Sequence, residues 1–416
     1  MTFTDSANGA LEKSSRGTAN GEGDEQQDVV SILAAVVPEL PKVLVDQDRV
    51  LSAASTISSS AIAPAIRAKA FPETVSQGTL KLLHELSRLQ NNQKSWKKDV
   101  GDAFNDSRFF SMNSALVKDH WLPLLRLWTR SDKEKLPEIV GRINPPTTAG
   151  IVFGVGATSA RLEADRKTQV NLRRIATLIL SSAEDTFVTD LPLIVDKLVE
   201  LLTATATSSP SSTTRADVYM VMRALVLKTS PIHMATLWPV VNSEIHAAMS
   251  SVVAPDHSSA FDMYNNATVL QACKLLDLLI CVAPDDFQLH EWLFITDTID
   301  AIYRSHNYQP VSLVDELSEE LGNSTGVPAS AMTVDASAMV AGSSHRRPLL
   351  GPGGISDDIS LERRDELVAK ILRPFFSQLS IFAFESTYAM VPLDRELCLD
   401  LLLKDIFEER TIVRAL

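Results

Sequence analysis

Residues 79–98 read TLKLLHELSRLQNNQKSWKK, and their leucines are spaced for an α-helix. Leu82, Leu83, Leu86 and Leu89 fall on one side at intervals of three and four, while Lys81, Glu85 and Arg88 occupy the other. A stripe of that kind is stable only when a second helix covers it. Toward the N-terminus the same period links Val29, Ile32, Leu33 and Val36, a face closed by Pro38 and Pro41, and a further helix is expected over 48–69. Toward the C-terminus helices are expected over 113–129, 132–142, 163–182, 183–203, 213–228, 231–253, 265–281 and 288–303. Asn113, Ser131 or Asp132, and Ser230 followed by Pro231 supply cap chemistry. Asn144-Pro145-Pro146, the tract 208–212 and Ala283-Pro284 supply breaks.

Nothing in the chain alternates with period two, and no Asn-Gly turn joins two strand-like runs. Hydrophobic residues reach 45% but aromatics only 6%, a balance that suits helix packed on helix. Short linkers return neighbouring helices as αα-hairpins. The expected fold is therefore all-α, a HEAT- or armadillo-like solenoid of helical hairpins. Its parts are a disordered tail at 1–27, a helical repeat array at 28–304, a flexible insertion at 305–360 crowded with Gly, Pro and Ser, and C-terminal helices at 361–416 docking on the array.

The net charge of −13 disfavours binding to a nucleic-acid backbone, which rests on neutralising phosphate. Three cysteines, Cys273, Cys281 and Cys398, make no close pair, which suits a reducing compartment. The most apolar run, 269–282, is shorter than the roughly 20 residues a bilayer crossing needs, and it carries Lys274 and Asp277. No transmembrane segment and no signal peptide are expected, so any membrane association would be peripheral.

The candidate contacts with a partner or lipid headgroup are Lys94, Trp96, Lys97 and Lys98, a tryptophan among lysines; the plainer reading is a half-buried ring at a solvated helix end. Trp121, Trp128, Trp238 and Trp292 read as core at helix junctions. Pro231 reads as a helix start and Pro239 as a structural residue. Cys273 reads as a buried structural thiol, and Lys274 and Asp277 as a pair on the narrow exposed side of an apolar helix. Gly154-Val155-Gly156 lacks the third glycine and the preceding strand of a phosphate loop. Ser230 and His233 lack a nucleophile elbow, and Asp285-Asp286 lacks the spacing of a calcium loop. No catalytic residue, cofactor or metal ligand is expected.

Several blocks are distinctive in combination: Trp96-Lys97-Lys98-Asp99-Val100 leading to Phe109-Phe110-Ser111-Met112; Trp121 to Trp128 with Ser131-Asp132-Lys133; Ser230-Pro231-Ile232-His233-Met234 with Leu237-Trp238-Pro239; and Ala272-Cys273-Lys274-Leu275-Leu276-Asp277 followed by His290-Glu291-Trp292. In order and spacing they resemble the C-terminal region of the Dopey family of large trafficking proteins, best over residues 75–303. The resemblance implies a peripheral scaffold on Golgi, trans-Golgi-network and endosome membranes, in transport between endosomes and the Golgi. It implies as partners a Mon-two-like protein related to Arf exchange factors and a type IV P-type ATPase flippase, with a phosphoinositide surface as a further contact. Family members are far longer, so the chain reads as a C-terminal portion. The alternative is a HEAT- or armadillo-like cargo adaptor of another pathway, whose acidic surface suits basic ligands.

Overall fold

The computed structural model describes residues 29–143, 156–203, 212–253, 263–295, 312–323, 345–388 and 390–413, with the side chains of 156–159 and 212–213 excepted. The tail expected at 1–27, Gly154 and Val155, most of the 208–212 tract, and residues 305–311 and 324–344 of the expected insertion lie outside that set. The described residues are helical and contain no strand; two isolated bridges, Arg346 with Leu393 and Leu350 with Ile355, are the only β pairing among them. The chain divides into two compact units, 1–132 and 133–416.

In the first unit, α1 (29–36) turns Val30 and Ala34 inward and leaves Val29, Ile32 and Val36 exposed. The face expected to be buried is thus off by about one residue. The α2 helix (Gln47–Ile57) continues through a wide π turn to Ile66. The helix expected over 79–98 is two. The α3 helix (Gln77–Arg88) starts at Ser76, whose Oγ accepts from the Thr79 amide, and it ends before Asn91, which adopts a left-handed conformation that asparagine tolerates. The chain re-enters α4 (Gln93–Asn105). Leu80, Leu82, Leu83 and Leu86 of α3 are buried against α4, α5 (Leu122–Arg130) and the π turn 117–121.

The second unit begins with α6 (Lys135–Gly141) and α7 (Gly156–Ser181). Then come α8 (Leu191–Thr203), α9 (Ser212–Lys228), α10 (Trp238–Ser250) and α11 (Asn266–Val282). Neither Ser131 nor Asp132 caps α6. Ser230 does not cap a long helix: a single 3-10 turn at Pro231–His233 precedes α10, because the Ser230 hydroxyl donates to Asp185 instead. The α11 helix is capped by Asn265, whose Oδ1 accepts from Thr268 N, and it stops at left-handed Ala283 before Pro284.

The α9 helix lies between α7 and α11. All three are buried on every side: 168–182, 214–227 and 268–281 contain no exposed position. A bare two-layer array leaves each helix a solvent face, so this enclosure departs from the expectation. The cover comes from the C-terminal third. Within the expected insertion, α12 (Leu313–Asn323) packs on α13 (Arg373–Tyr388), and residues 349–350 dock on α11. The α14 helix (Arg395–Ile406) lies over α7 and α9, and α13 lies against α11. The described parts of 305–360, residues 312–323 and 345–360, pack against the fold as structural cover. The continuous helix 364–388, and not 269–282, is long and apolar enough to span a bilayer by length and composition. Its most apolar window is 56% buried within the fold, and a core helix meets the same criterion.

Candidate functional site

Helices enclosed on every side should be apolar throughout, yet α7, α9 and α11 carry charges at their centres. Arg173 of α7 donates from Nε to Asp217 Oδ1 of α9 at 2.8 Å. Its Nη1 reaches the carbonyls of Ile406 at 2.7 Å and Glu408 at 3.0 Å, and its Nη2 reaches Thr411 Oγ1 at 2.6 Å. Arg223 of α9 donates to Gln271 Oε1 at 2.7 Å and to Asp405 of α14. Lys274 of α11 sits 2.6 Å from both Asp357 Oδ2 and Asp405 Oδ1, and exposed Lys404 lies 3.3 Å from the other Asp357 oxygen. Asp277, one turn on, accepts the backbone amides of Leu349 at 2.9 Å and Leu350 at 2.7 Å. A cavity of about 80 Å³ remains among Asp217, Gln271, Lys274, Asp357, Asp405 and Thr411.

These contacts set the charge states. Burial pushes the Asp405 carboxyl up, but Lys274 and Arg223 outweigh it and hold the group down at about 2. Burial likewise raises Asp357, and Lys274 with Lys404 reverses it to a net lowering. Asp277 differs: burial dominates and lifts it to about 7, although the two amides, Arg223 and Lys274 pull the other way. The thiols of Cys273, Cys281 and Cys398 are buried and free, and burial with the neighbouring Asp277 raises all three, Cys398 to about 12. Raised thiols are poor nucleophiles and poor metal ligands. Among the described residues no group of three or more His, Cys, Asp or Glu is placed to hold a metal ion. What this ionic seam does is hold 345–361 and 395–413 on the central helices.

Lys274 and Asp277 are therefore not a surface pair. Both are buried and bond to the C-terminal cover, Lys274 to Asp357 and Asp405 and Asp277 to the amides of Leu349 and Leu350. Arg173, Asp217, Arg223, Asp357 and Asp405 were missed altogether. For the four on helices the only sequence signal is a charge inside an otherwise apolar helix, as in Leu172-Arg173-Arg174-Ile175; Asp357, in an irregular segment, carries none.

The expected contact cluster separates as well. Lys94 and Lys98 are exposed and Lys97 is partly so, bonded to Gln93 at 2.6 Å, but Trp96 is only 4% exposed and cannot offer its ring to a headgroup. Beneath it Asp99 accepts from Ser58 at 2.7 Å and Arg67 at 3.1 Å. Trp121 stacks edge-on against Phe109, Trp128 against Phe104, and Trp238 lies buried beside Phe287. Pro239 lies in the first turn of α10. Trp292, expected in the core, is 62% exposed, because 285–295 form short turns where a helix is expected from 288; residues 296–303 of that helix lie outside the described residues. Exposed His233 meets Ser230 through its backbone amide, which donates to the Ser230 carbonyl at 3.0 Å, while the Ser230 hydroxyl is committed to Asp185.

A family profile described as DOP1 C-terminal matches residues 1–389. The chain is 47% identical over 385 residues to protein dop1 of Emericella nidulans, covering 92% of this chain and 20% of that protein. It is 24% identical over 371 residues to protein DOP1 of Saccharomyces cerevisiae, covering 86% and 20%. To protein DOP1B of Xenopus laevis it is 27% identical over 245 residues, covering 52% and 10%. The chain thus spans a fifth or less of the length of these relatives. No solved structure matches it. On this match and its extent, the chain belongs to the Dopey (DOP1) family and corresponds to that family's C-terminal region.

Proposed function

We propose that this chain is a non-catalytic scaffold segment acting in protein and vesicle transport between endosomes and the Golgi, by binding protein partners at the membrane. The observation that carries the reading is where the buried charge goes. Arg173, Arg223, Lys274, Asp277 and Asp405 are spent on one another and on backbone groups of the C-terminal cover. A catalytic site would instead aim such groups at a space a substrate can enter. The working part is then the outer surface. The Dopey relationship supplies the pathway, the Mon-two-like and flippase partners, and the Golgi and endosomal address. The array reading rests here too: the α8–α9 and α10–α11 pairs are its hairpins, with the C-terminal cover as an addition to a HEAT- or armadillo-like stack.

Lys94, Lys97 and Lys98 on the outer face of α4 are the proposed contact with a phosphoinositide surface, with Trp96 as their support from within. The test is proximity labelling in cells with the tagged chain and with a full-length Dopey relative. Recovery of the Mon-two-like protein and the flippase at puncta bearing trans-Golgi and endosome markers is expected. A nuclear-rim signal, or recovery of neither partner by either form, would sink the proposal in favour of an adaptor of another pathway.

A further inference from the structure

Three turns of the second unit are stitched into one edge. The turn 182–190 is tied to the end of α9 by Asp185, whose amide donates to the Lys228 carbonyl at 2.9 Å and whose carboxylate accepts the Ser230 amide at 2.7 Å. The turn before α10 is tied to the one after α11 by Trp238 Nε1, 3.3 Å from Asp286 Oδ2, and by Phe287 between the rings of Trp238 and Phe294. The last turn is fixed from its far side by the Val314 amide on the Phe294 carbonyl at 3.0 Å.

From this braced edge three large apolar side chains face solvent: Ile232 (80% exposed), Leu289 (71%) and Trp292 (62%). The Trp292 indole N–H already donates to the Leu289 carbonyl at 3.1 Å, so the ring is held in place with its polar atom satisfied and its faces free for contact. Exposed Trp fixed in advance has the character of an interface anchor, since little freedom is lost on binding. The turns themselves are acidic: Glu184, Asp185, Asp190, Asp285, Asp286 and Glu291 belong to them and no lysine or arginine does, while Lys228 ends α9 beside them and Lys133 acts on Asp190.

We infer that the edge formed by turns 182–190, 229–237 and 283–293 is a docking surface for a basic protein segment that seats an apolar side chain against Trp292. The acidic rim selects positive charge and repels an anionic bilayer, while Trp292, Leu289 and Ile232 supply the desolvated centre. The inference rests on the scaffold reading, and the two fail separately, because binding here is measured on the purified full chain without reference to its address in the cell.

The probe is a displayed library of random 16-residue peptides selected on that chain. Enriched peptides should carry net positive charge and at least one large apolar residue. They should bind Trp292→Ala, and separately a Glu184→Lys/Asp285→Lys double variant, at least tenfold more weakly than the wild type. Both variants alter exposed positions, so unchanged far-ultraviolet circular dichroism is the folding control. The other four tryptophans are 5% exposed or less, which makes quenching a second readout: caesium should quench more strongly than iodide, and Trp292→Phe should abolish the difference. Enrichment of acidic or neutral peptides, affinity unmoved by both variants, anionic vesicles binding through Trp292, or iodide quenching as well as caesium would each overturn the inference.

Discussion

Replacing Lys274 with Met tests the ionic seam directly. In the wild type the ammonium sits between Asp357 and Asp405 with only 7% of its side chain exposed, and the two carboxylates are little more open at 11% and 10%. The group that registers its effect is Asp405, held at about 2 against an ordinary 3.8. That lowering is worth about 2 kcal/mol, since one pKa unit is about 1.4 kcal/mol, and part of it belongs to Arg223. Removing one partner also leaves two buried like charges facing each other, a defect that costs about 3–5 kcal/mol when a buried pair is broken. The expected destabilisation of the second unit at neutral pH is about 3 kcal/mol. Because the folded pKa of Asp405 is depressed, its contribution is fully present above about pH 4 and is lost as pH falls toward 2.

The assay is hydrogen exchange by mass spectrometry on peptides from α14, where about 3 kcal/mol appears as exchange faster by about a hundredfold. Lys404→Met removes a half-exposed partner of the same Asp357 and should cost less than about 1 kcal/mol. If Lys274→Met left exchange in α14 within about twofold of wild type, the seam would not be what holds the cover in place.

Asp277→Asn should flatten the pH dependence of the second unit. The folded carboxyl is raised to about 7, so its contribution is fully present below the unfolded value near 3.8 and is lost as pH rises through 7; melting temperatures at pH 5.5 and 8 should differ less in the variant than in the wild type. Trp238→Ala should lower stability by about 3–5 kcal/mol in urea denaturation, and Trp292→Ala by no more than about 0.5 kcal/mol. In the first unit a Cβ at Gly101 would lie 3.4 Å from the Trp128 ring, ordinary contact. Gly101→Ala should therefore hold or raise the melting temperature through its gain of up to about 1 kcal/mol in helix propensity, while Gly101→Leu, forced into that ring, should cost about 1–3 kcal/mol.

Period and caps carried the helices well where one face was apolar. The leucines of α3 and the Asn113 cap, whose Oδ1 accepts from the Ala115 amide, were legible because stripe and cap are local properties. Where the sequence misled, the cause was tertiary. Asn91 breaks 79–98 without altering its leucine spacing, and Ser230 sends its hydroxyl to Asp185, 45 residues away, instead of to its own helix. Burial on all sides erased the stripe of α7, α9 and α11, so Lys274 and Asp277 looked like the polar side of an ordinary helix. Their partners are 83 and 72 residues distant, at Asp357 and Leu349, inside a Gly- and Pro-rich segment whose composition suggested a loose loop. Trp292 was misplaced for the opposite reason: a bulky ring usually goes inside, and only the short turns after Pro284 turn it out.

The guanidinium of Arg173 waits for carbonyls that lie as much as 235 residues further on. During synthesis, α7, α9 and α11 emerge long before 395–413 exist, with Arg173 answered only by Asp217, Arg223 only by Gln271, and Lys274 without Asp405. Contacts of such separation in sequence slow the search for the native arrangement and leave partly assembled intermediates exposed. A ribosome-bound chain halted before residue 395 should therefore be a chaperone client, with the second unit closing only after α14 has been released.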